Sequence, residues 1–197
     1  LASEGIRFAN AYAAPVCSPT RASIQSGQYP ARVGIFDFIP GHWRPFEEVI
    51  VPHHEVQHLP DQIVTLGESM QAAGYKTAYF GKWHLGNWFK HHLPMQRGFD
   101  YQYGHYSAAI GYYSKLRHNA YDWHRNEQTL LQEGYSTDLI ADETVAVLNR
   151  YDSQKPFFFY VPFNAPHGPQ DTKPELKEKY QDRVNAAKKG DPCHKLK

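Results

Sequence analysis

Phe157-Phe158-Phe159-Tyr160-Val161 is a short apolar run between Lys155-Pro156 and the turn-rich Asn164-Ala165-Pro166-His167-Gly168-Pro169. A run this short and apolar on both faces reads as a buried strand of a helix-covered sheet. Immediately upstream, Ser136 or Thr137 starts a helix. Its Ile140, Thr144, Val147, Leu148 and Tyr151 fall on one face at i, i+4, i+7, i+8 and i+11. Further upstream the same alternation repeats. Thr65-Leu66-Gly67-Glu68 fits a capping box, and Leu66, Met70 and Ala73 make a helical stripe closed by Gly74. Tyr75 to Phe80 then reads as a strand running straight into Gly81-Lys82-Trp83-His84-Leu85-Gly86. Helix, strand, helix, strand predicts an α/β fold with a largely parallel sheet flanked by helices. Ligands of such folds gather at the carboxyl ends of the strands. Lys82, His84 and His167 all fall just past a predicted strand end.

Working toward the N-terminus, Phe36 to Leu59 is proline-rich without a clean period and reads as a long surface loop. Before it stands Cys17-Ser18-Pro19-Thr20-Arg21. Pro19 suits a first helical turn and Ser18 can cap it, so a helix is predicted from Pro19 to Ser26, ended by Gly27. Ile6 to Tyr12 reads as a short strand or extended segment. Asn87 to Arg125 is aromatic, histidine-rich and glycine-punctuated, which predicts loops and short elements.

The 197 residues allow one sizeable core without disulfide staples. Lys+Arg 21 against Asp+Glu 20 leaves a net charge of +1, so no general attraction to nucleic acid or a membrane surface is implied. Affinity for an anion must therefore be local. No apolar run reaches the length of a membrane span, and no signal peptide is visible. Leu1-Ala2-Ser3-Glu4-Gly5 reads as a helix tail capped by Gly5, and Ala186 to Lys197 is polar and lysine-rich, so the chain reads as a fragment incomplete at both ends. A Cys17–Cys193 disulfide would consume the thiol at 17 and is disfavoured. Cys193-His194 has no second pair at metal-ligand spacing.

A thiol at a helix N-terminus faces free N–H groups and the positive end of the helix dipole, which favours the thiolate and any bound anion. Arg21, one turn on, can bring its guanidinium to the same end and grip an oxyanion in two-pronged fashion. These residues alone suit either a tetrahedral sulfate or phosphate site or a half-buried cysteine beside a surface arginine. Lys82 and His84, two apart in an extended segment, project to one side while Trp83 points away as a packing residue. Lys82 offers a point charge and His84 an acid or base.

The C-x-P-x-R pentapeptide at Cys17, followed in order by Gly-Lys-Trp-His-Leu-Gly at 81–86 and Ala-Pro-His-Gly-Pro at 165–169, resembles the sulfatase family, arylsulfatase B branch included. Pro15-Val16, Ser26-Gly27-Gln28-Tyr29-Pro30 and Leu93-Pro94-Met95-Gln96-Arg97-Gly98-Phe99-Asp100 carry the likeness further, until it fades near Tyr180. Thr20 departs from the serine many members carry. The resemblance implies an alkaline-phosphatase-like fold, residues 1–197 being part of the N-terminal catalytic domain. That part lacks the family's upstream Asp-Asp strand and downstream Asp-Asn segment. It implies a sulfuric ester hydrolase in which a maturation enzyme converts Cys17 to formylglycine, whose hydrated diol is the nucleophile. Arg21 would stabilise the diol, and Lys82, His84 and His167 would serve catalysis, Lys82 and His167 also binding the sulfate. Calcium is implied as the divalent metal, with modified Cys17 its one ligand present here, so the fragment alone is expected to be inactive. The implied substrate is a sulfated polysaccharide or glycosaminoglycan, or an aryl sulfate, with His91 and Arg97 reading neighbouring anionic groups. Trp88, Tyr106, Tyr112, Tyr113 and Trp123 are suited to stacking on sugars. A secreted, periplasmic or lysosomal setting follows from the family alone. The alternatives are a formylglycine-dependent phosphonate or phosphodiester hydrolase and a non-catalytic carbohydrate-binding protein.

Overall fold

In the computed structural model, which describes residues 3–41, 56–152 and 154–190, the elements run in the following order. Helices α1 (Cys17–Ser26), α2 (Pro30–Val33) and α3 (Leu66–Ala72) precede strand β1 (Lys76–Lys82). Two 3₁₀ turns, Lys90–His92 and Pro94–Gln96, lead to β2 (Tyr101–His105). Four two-residue strands follow: β3 (Leu116–Arg117), β4 (Ala120–Tyr121), β5 (His124–Arg125) and β6 (Gln128–Thr129). Helix α4 (Ser136–Asn149), strand β7 (Phe157–Tyr160) and helix α5 (Pro174–Gly190) complete the order.

The main sheet has the order β6-β5-β2-β1-β7. β1 pairs parallel with β2 and with β7, while β5 and β6 add an antiparallel ribbon. β1 lies between β2 and β7, and every residue from Thr77 to Lys82 is buried. Because side chains alternate across a strand, Tyr79 joins Ala22, Trp83, Leu85 and Phe99 on one face. Ala78 and Phe80 join Tyr103, Trp123 and Ile140 on the other. The sheet is thus covered on both faces, as a parallel sheet must be.

Several elements depart from expectation. Residues 6–12 form no strand: no described strand lies beside them, and Ile6, Phe8 and Tyr12 are exposed. Residues 3–5 make a turn, not a helix tail. α1 starts at Cys17 rather than Pro19, with Val16 as its N-cap and no side-chain cap, because the Ser18 hydroxyl is engaged elsewhere. Gly27 ends it in the left-handed conformation, as expected. In α3 the capping box forms, Thr65 Oγ1 accepting from Glu68 N at 3.0 Å and Thr65 N donating to Glu68 Oε2 at 2.6 Å. The residue it buries is Gly67, seated against Arg97 O and the Phe99 ring, while Ala73 is exposed.

β2 is one of the short elements within the stretch expected to hold loops and short elements, though it joins the main sheet, and α2 and α5 were not anticipated. β7 forms within the phenylalanine run but at the sheet edge, so Phe157 is 47% exposed; the strand buried on both faces is β1. α4 starts at Ser136 and buries Ile140, although Leu148 on the expected stripe is exposed. Most of the long 36–59 loop, and Cys193 with His194, lie outside the described residues. No helix among the described residues is long and apolar enough to cross a membrane.

Candidate active site

Three carboxyl-end features converge on the N-terminus of α1. Gly81 and Gly104 face one another across β1 and β2, with φ of +126° and +139°. A Cβ on Gly104 would stand 2.2 Å from Gly81 O, and one on Gly81 would stand 2.2 Å from Pro162 O. Only glycine permits this approach. It carries Lys82 beyond the close contact, where Lys82 N donates to Pro162 O at 2.9 Å. The chain then turns. His84 has φ of 57°, so the segment is not extended at His84 as expected, yet Lys82 and His84 still converge. Trp83 is buried and donates from Nε1 to His92 O at 2.9 Å, the packing role anticipated for it.

Cys17 Sγ lies 3.3 Å from His84 Nδ1. On the other side of the ring, Nε2 stands 2.6 Å from Ile39 O. A carbonyl can only accept, so Nε2 carries the proton and Nδ1 offers its lone pair to residue 17. Ser18 holds this arrangement, donating from Oγ to His84 O at 3.2 Å and accepting from Ile39 N at 3.1 Å. Cys17, His84, His167 and Arg117 line one cavity of about 470 Å³ together with Pro15, Val16, Phe38 and Ala108. His167 is positioned by its loop: its carbonyl accepts from Tyr112 OH at 2.9 Å, and Asn164 of the same loop bonds Ser136.

Burial pushes the Lys82 ammonium down to about 8, opposed by the neighbouring Cys17. Burial also pushes His84 down to about 3; the Ile39 carbonyl opposes the shift, and the charges of Lys82, Arg21 and Arg117 reinforce it. His84 is therefore a neutral imidazole at pH 7, its Nδ1 lone pair turned to residue 17. Arg21 belongs to the cluster but donates from Nη1 to Lys82 O, tying α1 to the end of β1. One arm of the expected two-pronged grip is thus committed to backbone. His91 and Arg97 are elsewhere, lining a hollow with Asp61, Glu68 and Gln96. Arg97 is buried and spends Nη1 on Leu59 O and Nη2 on Ile63 O, so it anchors loops.

Three residues of the site were missed by sequence reasoning. Ser18 read as a helix cap. Arg117 sits in the β3–β4 hairpin, within a stretch that carries no motif. His105 pairs with Lys82 in the sheet register and is wholly buried. A second hollow of about 520 Å³ continues from His84 and Arg117 past Trp88, Asn87, Tyr106 and His118. Calcium requires a cage of oxygen donors. No carboxylate is among the described residues lining the Cys17 cavity, so these residues do not fit calcium by themselves.

The sequence model of the sulfatase family matches residues 1–191. Mouse arylsulfatase J is 28% identical over 193 residues, covering 94% of this chain and 30% of that protein. Human N-acetylgalactosamine-6-sulfatase is 32% identical over 182 residues, covering 86% and 34%. The Ps i-CgsB structure, solved in complex with k-i-k-neocarrahexaose, superposes with a TM-score of 0.70 at 25% identity over 85% of this chain and 38% of that one. The fold is accordingly the alkaline-phosphatase-like α/β fold of solved sulfatases. The chain spans about a third of the length of these relatives. With its C-x-P-x-R cysteine, its lysine–histidine segment and its later histidine gathered at one end of the sheet, this chain belongs to the sulfatase family.

Proposed function

We propose that the protein containing this chain hydrolyses sulfate esters of an anionic carbohydrate, with residue 17 as the nucleophile after oxidation of Cys17 by a maturation enzyme. The observation that carries the reading is the contact between Cys17 Sγ and an unprotonated His84 Nδ1, 3.3 Å apart, both lining a cavity with Arg117. As formylglycine, residue 17 supplies a geminal diol, one hydroxyl attacking sulfur and the other later expelling sulfate. His84 accepts the proton of the expelling hydroxyl at Nδ1, its Nε2 staying on Ile39 O. Lys82 holds its positive charge against the sulfate oxygens, where charge accumulates as the ester bond breaks. Arg21 fixes the Lys82 backbone against α1 and adds to the positive field. His167, which lines the same cavity, would assist the departing alcohol oxygen. The remaining ligands of the family's calcium come from chain outside these residues.

A carbohydrate substrate is supported by the second hollow, whose exposed Trp88 offers a face to a sugar ring. The relatives' names point the same way, one to N-acetylgalactosamine 6-sulfate and one to a neocarrahexaose. His91 and Arg97, in their separate hollow, take no part in this reading.

The test uses the full-length protein on 4-nitrophenyl sulfate and on a matched phosphonate ester. Sulfate ester turnover should exceed phosphonate turnover, and Cys17→Ala should lower it roughly 10³-fold. In parallel, the peptide Phe8–Arg21 should carry a hydrazide-reactive aldehyde at position 17. An unmodified thiol in protein from a host with the maturation machinery, together with no ester hydrolysis, would leave the carbohydrate-binding alternative.

A further inference from the structure

His58, Asp61 and His92 form a second constellation, and none of them lines the Cys17 cavity. One donor atom from each lies within 4.8 Å of the others. His92 is only 4% exposed, yet its Nδ1 has no hydrogen-bond partner. Its Nε2 stands 3.9 Å from Asp61 Oδ1, beyond hydrogen-bonding range. The His58 and His92 rings stack at 3.8 Å, so the two imidazoles present their edges together. A buried imidazole nitrogen left without a partner is costly unless something completes it. Arg97 Nη1 lies 3.8 Å from Asp61, but its hydrogen bond goes to Leu59 O, leaving the carboxylate available.

We propose that His58, Asp61 and His92 bind one divalent transition metal, zinc by the chemistry of the donor set, at a structural site separate from the catalytic cavity. Two imidazoles and one carboxylate suit zinc, whereas calcium and magnesium take all-oxygen cages. His91, whose Nε2 lies 3.6 Å from Asp61 Oδ2 and which is exposed, can supply a fourth donor. Donors about 2.0–2.2 Å from tetrahedral zinc stand about 3.3 Å apart, so loading closes the cluster by up to about 1.5 Å and splays the stacked rings. Burial lowers both imidazoles, His92 to about 4, which keeps them neutral and ready to ligate near pH 7.

The location gives the metal a purpose. His58 and His92 both press on Gly86, where a Cβ would stand 2.6 Å and 3.0 Å from theirs. Leu59 N donates to Leu85 O at 2.9 Å, and Trp83 Nε1 donates to His92 O at 2.9 Å. Each ligand loop is therefore bonded to the segment that presents Lys82 and His84. A metal joining the two loops clamps that segment from behind.

The full-length protein, stripped with a chelator and returned to calcium buffer, is titrated with Co²⁺ and then with Zn²⁺. Wild type is expected to show the intense visible band of tetrahedral Co²⁺, abolished by one equivalent of zinc, and a rise in Tm on adding zinc. His58→Ala and the isosteric, surface Asp61→Asn are expected to lose the band and the Tm rise, with zinc binding at least 10-fold weaker. Cys17→Ala, which removes the thiol beside His84, is expected to keep both. No band in wild type, a band retained in His58→Ala and Asp61→Asn, or a band lost in Cys17→Ala would each overturn the assignment. None of these readouts depends on ester hydrolysis, so they stand or fall apart from the proposed activity.

Discussion

His84 occupies the left-handed region at φ 57°, a conformation that costs an L-residue about 1–2 kcal/mol. The cost is met by bonds on every side: its N–H to Tyr106 O, its carbonyl from Ser18, its ring to Ile39 O. The return is an imidazole aimed at residue 17 with its lone pair toward the nucleophile. Lys82 two residues earlier is the charged half of the pair, and its state can be followed by pH. Burial has brought its ammonium down to about 8, so it is charged below that pH and neutral above it. A neutral Lys82 no longer attracts sulfate. In the free enzyme, where conversion of Cys17 removes the group that opposes the shift, kcat/KM for a sulfate ester should therefore fall on the alkaline side from about pH 8 or below, whereas kcat, measured with the anion bound and the ammonium stabilised, should hold further. Lys82→Arg cannot lose its proton in that range. It should abolish the alkaline limb while lowering kcat/KM by about 10–100-fold through poorer fit. A limb unchanged in Lys82→Arg would assign the titration to another group.

The glycine seam between β1 and β2 is what sets Lys82 and His105 side by side at the end of the sheet. Gly104→Ala would drive a Cβ into Gly81 O at 2.2 Å and Gly81 N at 2.7 Å, in backbone already at φ +139°. Overpacking of this kind costs about 3 kcal/mol. Gly27→Ala, with φ +66° but nothing within 4 Å, should cost only about 1 kcal/mol. Urea midpoints of the two variants test the contrast, and equal losses would mean that φ alone governs both. The same seam explains what could and could not be read from the sequence. β1 was legible as a short, continuous apolar run after a capped helix, and α4 because its apolar residues repeat at the helix period. β2 was not, since Tyr101-Gln102-Tyr103-Gly104-His105 carries a glycine and two polar residues where a strand shows apolar ones. Gln102 and His105 are wholly buried by tertiary context, Gln102 accepting from Tyr106 OH at 3.1 Å. In the site, Cys17, Lys82, His84 and His167 stood in local motifs and were found. Arg117 and the true work of Ser18 depend on partners distant in sequence, Ser18 reaching His84, and no local pattern signals them.

For the molecule as a whole, buried neutral imidazoles make acid the condition to which the fold is most sensitive, His84 and His105 at the end of the sheet foremost and His92 with them. Burial pushes His105 down to about 3, against the attraction of Asp122 and with the repulsion of Lys82 and Arg21. His84 is pushed to about 3 by burial as well, beneath the same cations and Arg117. In the unfolded chain each titrates near the ordinary 6.5. As pH falls below about 6.5 the unfolded chain takes up protons that His84 and His105, and His92 until about pH 4, refuse in the fold, so stability declines with falling pH. Each refused proton contributes about 1.4 kcal/mol per pH unit, or about 3 kcal/mol per unit for the pair, until pH nears 3 where the folded groups titrate too. Against a total of about 5–15 kcal/mol for a domain, two units of acidification are enough to threaten the fold. Tm of the full-length protein should therefore be level from pH 8 to 7 and drop steeply between pH 6 and 4.5. His105→Gln, polar but not titratable, should be less stable at pH 7 yet lose stability with acid on a slope shallower by about 1.4 kcal/mol per pH unit. A Tm that stays flat down to pH 4.5 would mean that these histidines accept protons within the fold, and His84 would then be an acid at the start of the reaction cycle rather than a base.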